Sequence, residues 1–407
     1  MSTFLFRLGR WCARHPFKTI SAWFLLALAI FMASAQFGDD LVDDYSVPGV
    51  ESQEGTDVLE ERFPEFAGAA SRVVFHTEDG RIDDPEQRAI VDDTISELGE
   101  VADVSFVTDP FDPAAPTVSA DGHTAFATVQ FSAQSLQHEH SAAAEEAVDG
   151  AREAGVQTEI SGQLAAAGKE VHGNEALGLA VAIIVLLLAF GSVIAMGLPI
   201  VTALLGVGTG MAGVGIFAGL TSVPTVSEML AIMIGLGVGI DYALFIVTRH
   251  REHLHDGMDP CDAAGQATAT AGQSVLFAGT TVVIAICGLL LAGIPAITAM
   301  GFAIGITVVA SMLIAVTLLP GLLGLAGHRI DRLAIHRKKA VDGAHTTLSG
   351  KWAHHVGQRP WRYALISFGA LVAAAAPVLG MRIGFTDDSN EAEGSTARES
   401  YELLAES

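Results

Sequence analysis

Cysteine is scarce in this chain, and what there is falls outside the one stretch where disulfides would matter. Cys12, Cys261 and Cys287 are the only three in 407 residues, and none lies between positions 38 and 173. A disulfide-stapled outer domain is therefore excluded, and no spacing points to thiol redox chemistry. Basic residues are also few, with 22 Lys and Arg against 46 Asp and Glu. The imbalance is local: residues 38 to 173 carry 30 acidic and 6 basic side chains, while the remainder holds 16 of each. Such a stretch favours solubility and disfavours nucleic acid or other anionic partners. Aromatics reach only 7%, which leaves shape to set any ligand specificity in that stretch.

Apolar residues are abundant, half of the total, and they fall in long blocks. Seven are candidate spans: Ile20 to Ala35, Leu177 to Phe190, Met196 to Leu220, Val226 to Val247, Val275 to Ile294, Ala296 to Leu325 and Tyr363 to Leu379. The expected fold is an α-helical membrane bundle of about seven spans. Arg7, Arg10, Arg14 and Lys18 precede the first block. Arg249 and Arg251 follow the fourth, and Arg329, Arg332, Arg337, Lys338, Lys339, Lys351 and Arg359 lie between the sixth and seventh. If every block spans, these clusters share one side, which short basic loops mark as cytoplasmic. The amino terminus is then cytoplasmic, and residues 38 to 173 and those after 383 face outward. Met32-Ala-Ser-Ala-Gln36 resembles a signal-peptidase site. The apolar run before it is long for a signal peptide, so a retained helix is expected.

Between the first two blocks the periodicity changes. Ser71 to Thr77 reads as a strand, Asp84 to Leu98 as a helix, Val101 to Thr108 and His123 to Ser132 as strands. A helix from Gln137 to Ala154 and a strand from Val156 to Ser161 complete a β-α-β-β-α-β order, the split ferredoxin-like arrangement. The chain then repeats features. Arg14-His-Pro16, Asp39-Asp40 and a helix at Ser52 to Leu59 are matched by Gln358-Arg-Pro360, Asp387-Asp388 and Thr396 to Leu403. Pro16 to Pro360 and Leu59 to Leu403 share an offset of 344 positions. Residues thus divide into 1–37 (basic start and first span), 38–173 (outer domain), 174–326 (spans two to six), 327–360 (basic linker), 361–382 (seventh span) and 383–407 (opening of a second outer domain). The repeat makes this the first half of a protein of roughly 700 residues.

Asp241 is the residue that demands an explanation. It sits in Met229-Leu-Ala-Ile-Met-Ile-Gly-Leu-Gly-Val-Gly-Ile-Asp241-Tyr-Ala-Leu-Phe-Ile-Val247, where nothing else is charged. A carboxylate near the centre of a membrane helix costs roughly 2.5–3.5 kcal/mol on insertion scales, and such groups commonly move protons or ions. Burial disfavours the charged form while water or a cation restores it, so Asp241 is expected to switch between two states. Tyr242 adds a hydroxyl able to donate to a carboxylate on a facing helix. Gly235, Gly237 and Gly239 give a thin surface for close helix approach. The competing role for Asp241 is helix packing by hydrogen bonding.

Other signals weaken on inspection. Gly208-Thr-Gly210-Met-Ala-Gly213 matches a dinucleotide fingerprint, yet it lies inside an apolar span. Thr225-Val-Ser-Glu228 reads as a capping box that starts the fourth span, in preference to a second buried acid. His250, His253 and His255 with Glu252 lack the spacing of a metal site, and no metal is expected. His138-Glu-His140 reads as the exposed opening of a helix. Thr280, Thr281, Thr307 and Ser311 have two possible acceptors, Asp241 or their own helix carbonyls.

Several motifs in order carry a family resemblance: Phe190-Gly-Ser-Val-Ile-Ala-Met-Gly-Leu-Pro199, Gly237-Val-Gly-Ile-Asp241-Tyr242, Arg249-His-Arg-Glu-His-Leu-His-Asp-Gly257, Ala271-Gly-Gln-Ser-Val-Leu-Phe-Ala-Gly279 and Leu318-Leu-Pro320. With one span, a large outer domain, five spans and a restart, the chain resembles the amino-terminal half of the MMPL family in the resistance-nodulation-division (RND) superfamily. The resemblance implies proton-motive-force-driven export of lipids or other hydrophobic compounds across the cytoplasmic membrane, with outer porter domains and no cofactor. It implies that Asp241 and Tyr242 relay protons with a matching pair on a tenth span, outside this sequence. The implied partners are a lipid or hydrophobic small molecule, protons, the membrane and the second half of the transporter. A non-transporting lipid- or sterol-sensing receptor or scaffold is the alternative, and it would not need the acid. No nucleophile or metal constellation supports an enzyme. The reading frame beyond codon 407 is expected to encode about five further spans and a second Gly-x-x-x-Asp-Tyr, which sequencing that DNA checks.

Overall fold

The computed structural model describes residues 2–168, 175–331, 348–381 and 387–407. Arg332, Arg337, Lys338 and Lys339 of the basic linker lie outside the described residues. The chain opens with α1 (Ser2–Arg14) and, across His15, α2 (Pro16–Phe37). Pro16 occupies the first turn of α2, where a missing N–H leaves no bond unmade. The basic start forms α1, in which Leu5, Gly9, Cys12 and Ala13 make a buried stripe at helical spacing.

An α/β unit follows as α3 (Glu51–Arg62), α4 (Pro64–Ala67), β1 (Ala70–His76), α5 (Pro85–Gly99), β2 (Val104–Val107), β3 (Thr124–Phe131), α6 (His138–Glu153), β4 (Gln157–Gly162) and α7 (Gln163–Ala167). The sheet is antiparallel in the order β2-β3-β1-β4. Val73 of β1 faces Ala127 of β3 on one side and Ile160 of β4 on the other. These side chains join Phe75, Val129 and Phe131 in a core with Val91 and Leu98 of α5 and Val148 of α6. β2 is shorter than expected because its pairing with β3 is broken by a bulge between Val104 and Phe106. Asp103 just before it has φ 61°, a left-handed turn that ends the ladder.

His140 is likewise not the exposed residue expected. It is buried against Phe131, accepts from the Gln137 backbone N–H at Nδ1 (3.0 Å), and meets Asp103 through Nε2 at 3.2 Å. The helix start is fastened inward to the turn that precedes β2.

The helices that follow are α8 (Glu175–Phe190), α9 (Val193–Ala218), α10 (Val226–His255), α11 (Pro260–Cys287), α12 (Pro295–Ala326), α13 (Leu348–Gln358) and α14 (Pro360–Ala375), ahead of a final helix α15 (Thr396–Glu406). Among the described residues, six helical stretches are long and apolar enough to cross a membrane, beginning at Pro16, Val193, Val226, Pro260, Pro295 and Pro360. α8 is apolar but shorter, with 16 residues. α11 starts fifteen positions before the expected Val275. Its Ala-rich opening is too weakly hydrophobic to read as a span, yet Ala263, Ala264, Ala267 and Thr268 are all buried. The Thr225 capping box is also absent. Thr225 is already helical, and its backbone N–H and Oγ1 both bond to the Asp43 carboxylate at 2.8–3.0 Å. The segment leaving α2 therefore caps α10 in place of Glu228, which is exposed.

α12 packs against α9, α10 and α11 along a seam of small residues. A Cβ on Gly206 would stand 2.7 Å from Ser311 Oγ, and one on Gly210 would stand 2.7 Å from Thr307 Cα. Backbones can approach this closely only where no side chain intervenes. Thr307 Oγ1 bonds back to Ala303 O at 3.1 Å, whereas Ser311 Oγ donates across to Gly235 O of α10 at 3.4 Å. Gly208, two positions from each of these glycines, has nothing within 4 Å of its Cβ position.

Two outcomes follow for the purified chain. Gly210→Ala should destabilise the bundle by about 1–3 kcal/mol through overpacking against Thr307, while Gly208→Ala should be neutral or slightly stabilising; unfolding in graded SDS distinguishes them. The second concerns α15, which covers β4: Ile160 N–H donates to Thr396 Oγ1 at 2.7 Å and Gln157 Nε2 to Glu399 at 3.3 Å. Burial beneath α15 raises the Glu159 pKa above its ordinary value; the Thr396 hydroxyl opposes the rise and the Glu399 carboxyl adds to it. Arg152, 3.9 Å away, is the neighbouring cation. A carboxyl with a raised folded pKa binds more protons folded than unfolded. Stability should therefore fall as pH rises from its unfolded value, about 4.3, through its folded value. Hydrogen-exchange protection of residues 396–406 should be higher at the acidic end of that window, and Glu159→Gln should flatten the difference.

Candidate functional site

α10 is held on three sides, by α9, α11 and α12. Its rotation follows from where its small residues sit. Gly235 and Gly239 are four apart, on one face. Gly235 approaches the Thr307 methyl group, and a Cβ on Gly239 would stand 3.0 Å from Ala203 Cα of α9. A helix advances 100° per residue, so positions two further along point away from that contact. Gly237 accordingly has nothing within 4 Å of its Cβ position, and Asp241 is exposed. Of the three glycines, Gly235 and Gly239 lie against neighbouring helices on the face turned from the acid, and Gly237 faces outward with it.

Asp241 belongs to an outward stripe at four-residue spacing: Met233, Gly237, Asp241 and Phe245 are all exposed. Met233 and Phe245 each keep 55% of their surface. Among the described residues, no side chain pairs with Asp241. The four hydroxyls weighed as partners do not reach it: Thr281 bonds to Phe277 O at 2.8 Å, Thr307 and Ser311 serve the seam, and Thr280 makes no bond to the acid.

Tyr242 points elsewhere. It is buried with Ala243, Ile246 and Val247 in the cluster that joins α10 to α11 and α12. Its hydroxyl lies 3.2 Å from where a Cβ on Gly279 of α11 would be, beside Met312. The two residues of the pair are thus neighbours in sequence but turn to different surroundings, Asp241 outward and Tyr242 inward. Gly279 leaves the space that the tyrosine occupies, a role that its place in the motif opening the fifth span did not disclose.

An apolar cavity of 430 Å³ lies elsewhere in the bundle, lined by Trp23 of α2, Thr209 of α9, Val283 of α11, and Phe302, Gly305 and Leu313 of α12. No residue of α10 lines it. Trp23 is fixed there by donating from Nε1 to Thr317 Oγ1 at 2.9 Å. The His250 region holds no metal constellation; among the described residues, no three His, Cys, Asp or Glu side chains gather around a common point. His250 itself is fully buried at the end of α10.

Comparison with known proteins then places the chain. It is 34% identical to the membrane protein YdfJ of Bacillus subtilis over 100% of this chain and 56% of that protein. It is 31% identical to the putative membrane protein SCO6666 of Streptomyces coelicolor, over 98% of this chain and 57% of that one. The mycolic acid-containing lipids exporter MmpL11 of Mycolicibacterium smegmatis is 32% identical over 53% of this chain and 23% of its own. The chain spans about half the length of the first two relatives. The MMPL family model matches residues 44–363. With several apolar helices packed as a bundle and that match across most of its length, the chain is a multi-pass membrane protein and belongs to the MMPL family, whose members are transporters and not enzymes.

Proposed function

We propose that this chain is the amino-terminal half of a proton-motive-force-driven exporter of lipids or other hydrophobic compounds. Its amino terminus is cytoplasmic, and residues 38–173 form a ferredoxin-like, extracytoplasmic porter domain. One observation carries the coupling: a single carboxylate, Asp241, on a helix otherwise uncharged from Met229 to Val247, aimed out of this half through an apolar stripe. Left facing hydrocarbon, such a group would cost roughly 2.5–3.5 kcal/mol. In the complete protein the second half supplies the surface that covers it and the partner with which it exchanges a proton. A proton moving down 100 mV releases about 2.3 kcal/mol, enough to bias a two-state rearrangement of helices.

The hydrophobic cargo is supported by the relative named as an exporter of mycolic acid-containing lipids. In this role Tyr242 acts from inside the half, behind Asp241, by holding α10 against α11. Gly235 and Gly239 fix the aim of the acid, and Gly237 leaves room beside it for the second half.

In the complete protein, Asp241→Asn should reduce transport to the level seen with an uncoupler, while membrane insertion and abundance stay unchanged. Transport at the wild-type rate by that variant would overturn proton coupling through Asp241. A ligand response indifferent both to the substitution and to the uncoupler would favour a lipid-sensing receptor.

A further inference from the structure

The strongest feature that transport does not use is the outer face of α1. Its inner face is spoken for: Gly9 lies against Thr268 of α11, Ala13 against Gly324 of α12, and Arg10 forms an ion pair with Asp262. Those contacts leave Phe4, Arg7, Trp11 and Arg14 exposed at successive spacings of three and four, one continuous helical stripe. Lys18 extends it into the first turn of α2, again exposed. Phe4 keeps 67% and Trp11 51% of their surface. Unlike Arg10, none of Arg7, Arg14 and Lys18 has an ion-pair partner among the described residues. His15 stacks on Trp11 with ring centroids 5.3 Å apart and holds that ring in place.

The location of the stripe matters as much as its composition. α1 docks where α11 begins and α12 finishes, the end of the bundle at which membrane-spanning helices leave hydrocarbon. Tryptophan is favoured at that depth, because its ring is apolar and its N–H polar. Arginine and lysine there extend their charged ends to the phosphate level while their stems stay on apolar surface. A stripe that alternates rings with unpaired cations at this depth is complementary to a phospholipid leaflet that carries net negative charge.

We propose that the Phe4-Arg7-Trp11-Arg14-Lys18 face of α1 is a binding site for anionic phospholipid headgroups of the adjoining leaflet. The rings enter the headgroup boundary, and the three cations engage lipid phosphates. The site depends on the membrane disposition of the bundle and not on Asp241, so its failure would leave the transport proposal untouched.

The 407-residue chain in detergent, titrated with phosphatidylglycerol or phosphatidylcholine and followed by native mass spectrometry, tests this. The wild-type chain should retain phosphatidylglycerol at least about fivefold more tightly than phosphatidylcholine. Combined Arg7→Gln, Arg14→Gln and Lys18→Gln should erase that preference, and Phe4→Ala with Trp11→Ala should weaken both lipids. Equal retention of the two lipids by the wild type overturns the proposal, as does a preference that survives the triple substitution. Competition by inorganic phosphate alone at millimolar concentration also overturns it, since that marks a free-phosphate site. Should the triple variant fail to fold, a chain with Trp23, Trp352 and Trp361 replaced by Phe provides the second measurement. Its remaining Trp11 should be quenched more strongly by brominated phosphatidylglycerol than by brominated phosphatidylcholine in vesicles, and equal quenching refutes the site.

Discussion

Close backbone contact between α9, α10 and α12 is the constraint from which the rest of the bundle follows. Gly206 and Gly210 of α9 and Gly235 of α10 meet Thr307 and Ser311 of α12, while Gly239 of α10 meets Ala203 of α9. Because a side chain at any of these positions would push backbone from backbone, the seam sets both the distance between helices and their rotation. Rotation is the functional quantity. With Gly235 and Gly239 turned inward, Gly237 and Asp241 have to face out, and Tyr242, a further 100° along, returns to the packed side against Gly279. The acid is aimed by glycines that never touch it.

Much of this was legible in the sequence, and the parts that were not share a cause. Spans and strands showed through because hydrophobic periodicity is local: Val226 begins α10 as expected, and β3 runs from Thr124 to Phe131 inside the expected His123 to Ser132. What failed were the features set by a partner distant in sequence. Thr225 has a neighbour of the right type for a capping box in Glu228, but Asp43, 182 positions earlier, takes the cap. His140 reads as surface until Asp103 and Phe131 are brought over it. The opening of α11 is composed of small residues whose burial comes from α1, not from their own hydrophobicity.

The candidate site divides in the same way. The position of Asp241 on a membrane helix followed from composition alone. Its face followed in principle from glycine spacing, since residues 235 and 239 share a side that 237 and 241 do not. The inward turn of Tyr242 did not follow, because it requires knowing that Gly279 of another helix leaves the space. Neighbours in a motif therefore need not share surroundings: in the helix, Asp241 is exposed and Tyr242 packs beside Gly279.

Two of the exposed surfaces of the bundle make different demands on what surrounds them. α14 exposes Trp361, Leu365, Phe368 and Leu371, all apolar enough for lipid chains to cover at no cost. The α10 stripe exposes Met233 and Phe245, equally suited to lipid, but with Asp241 between them. Hydrocarbon satisfies the first surface completely and the second only if the carboxyl is neutral, and then without a hydrogen-bond partner. Exposed apolar area is thus a poor guide to where a second protein surface must sit in a membrane, since lipid competes for all of it. A single unpaired acid is a better one: under the proposed function, it is the polar group, not the larger greasy face, that fixes which side of the bundle has to meet protein.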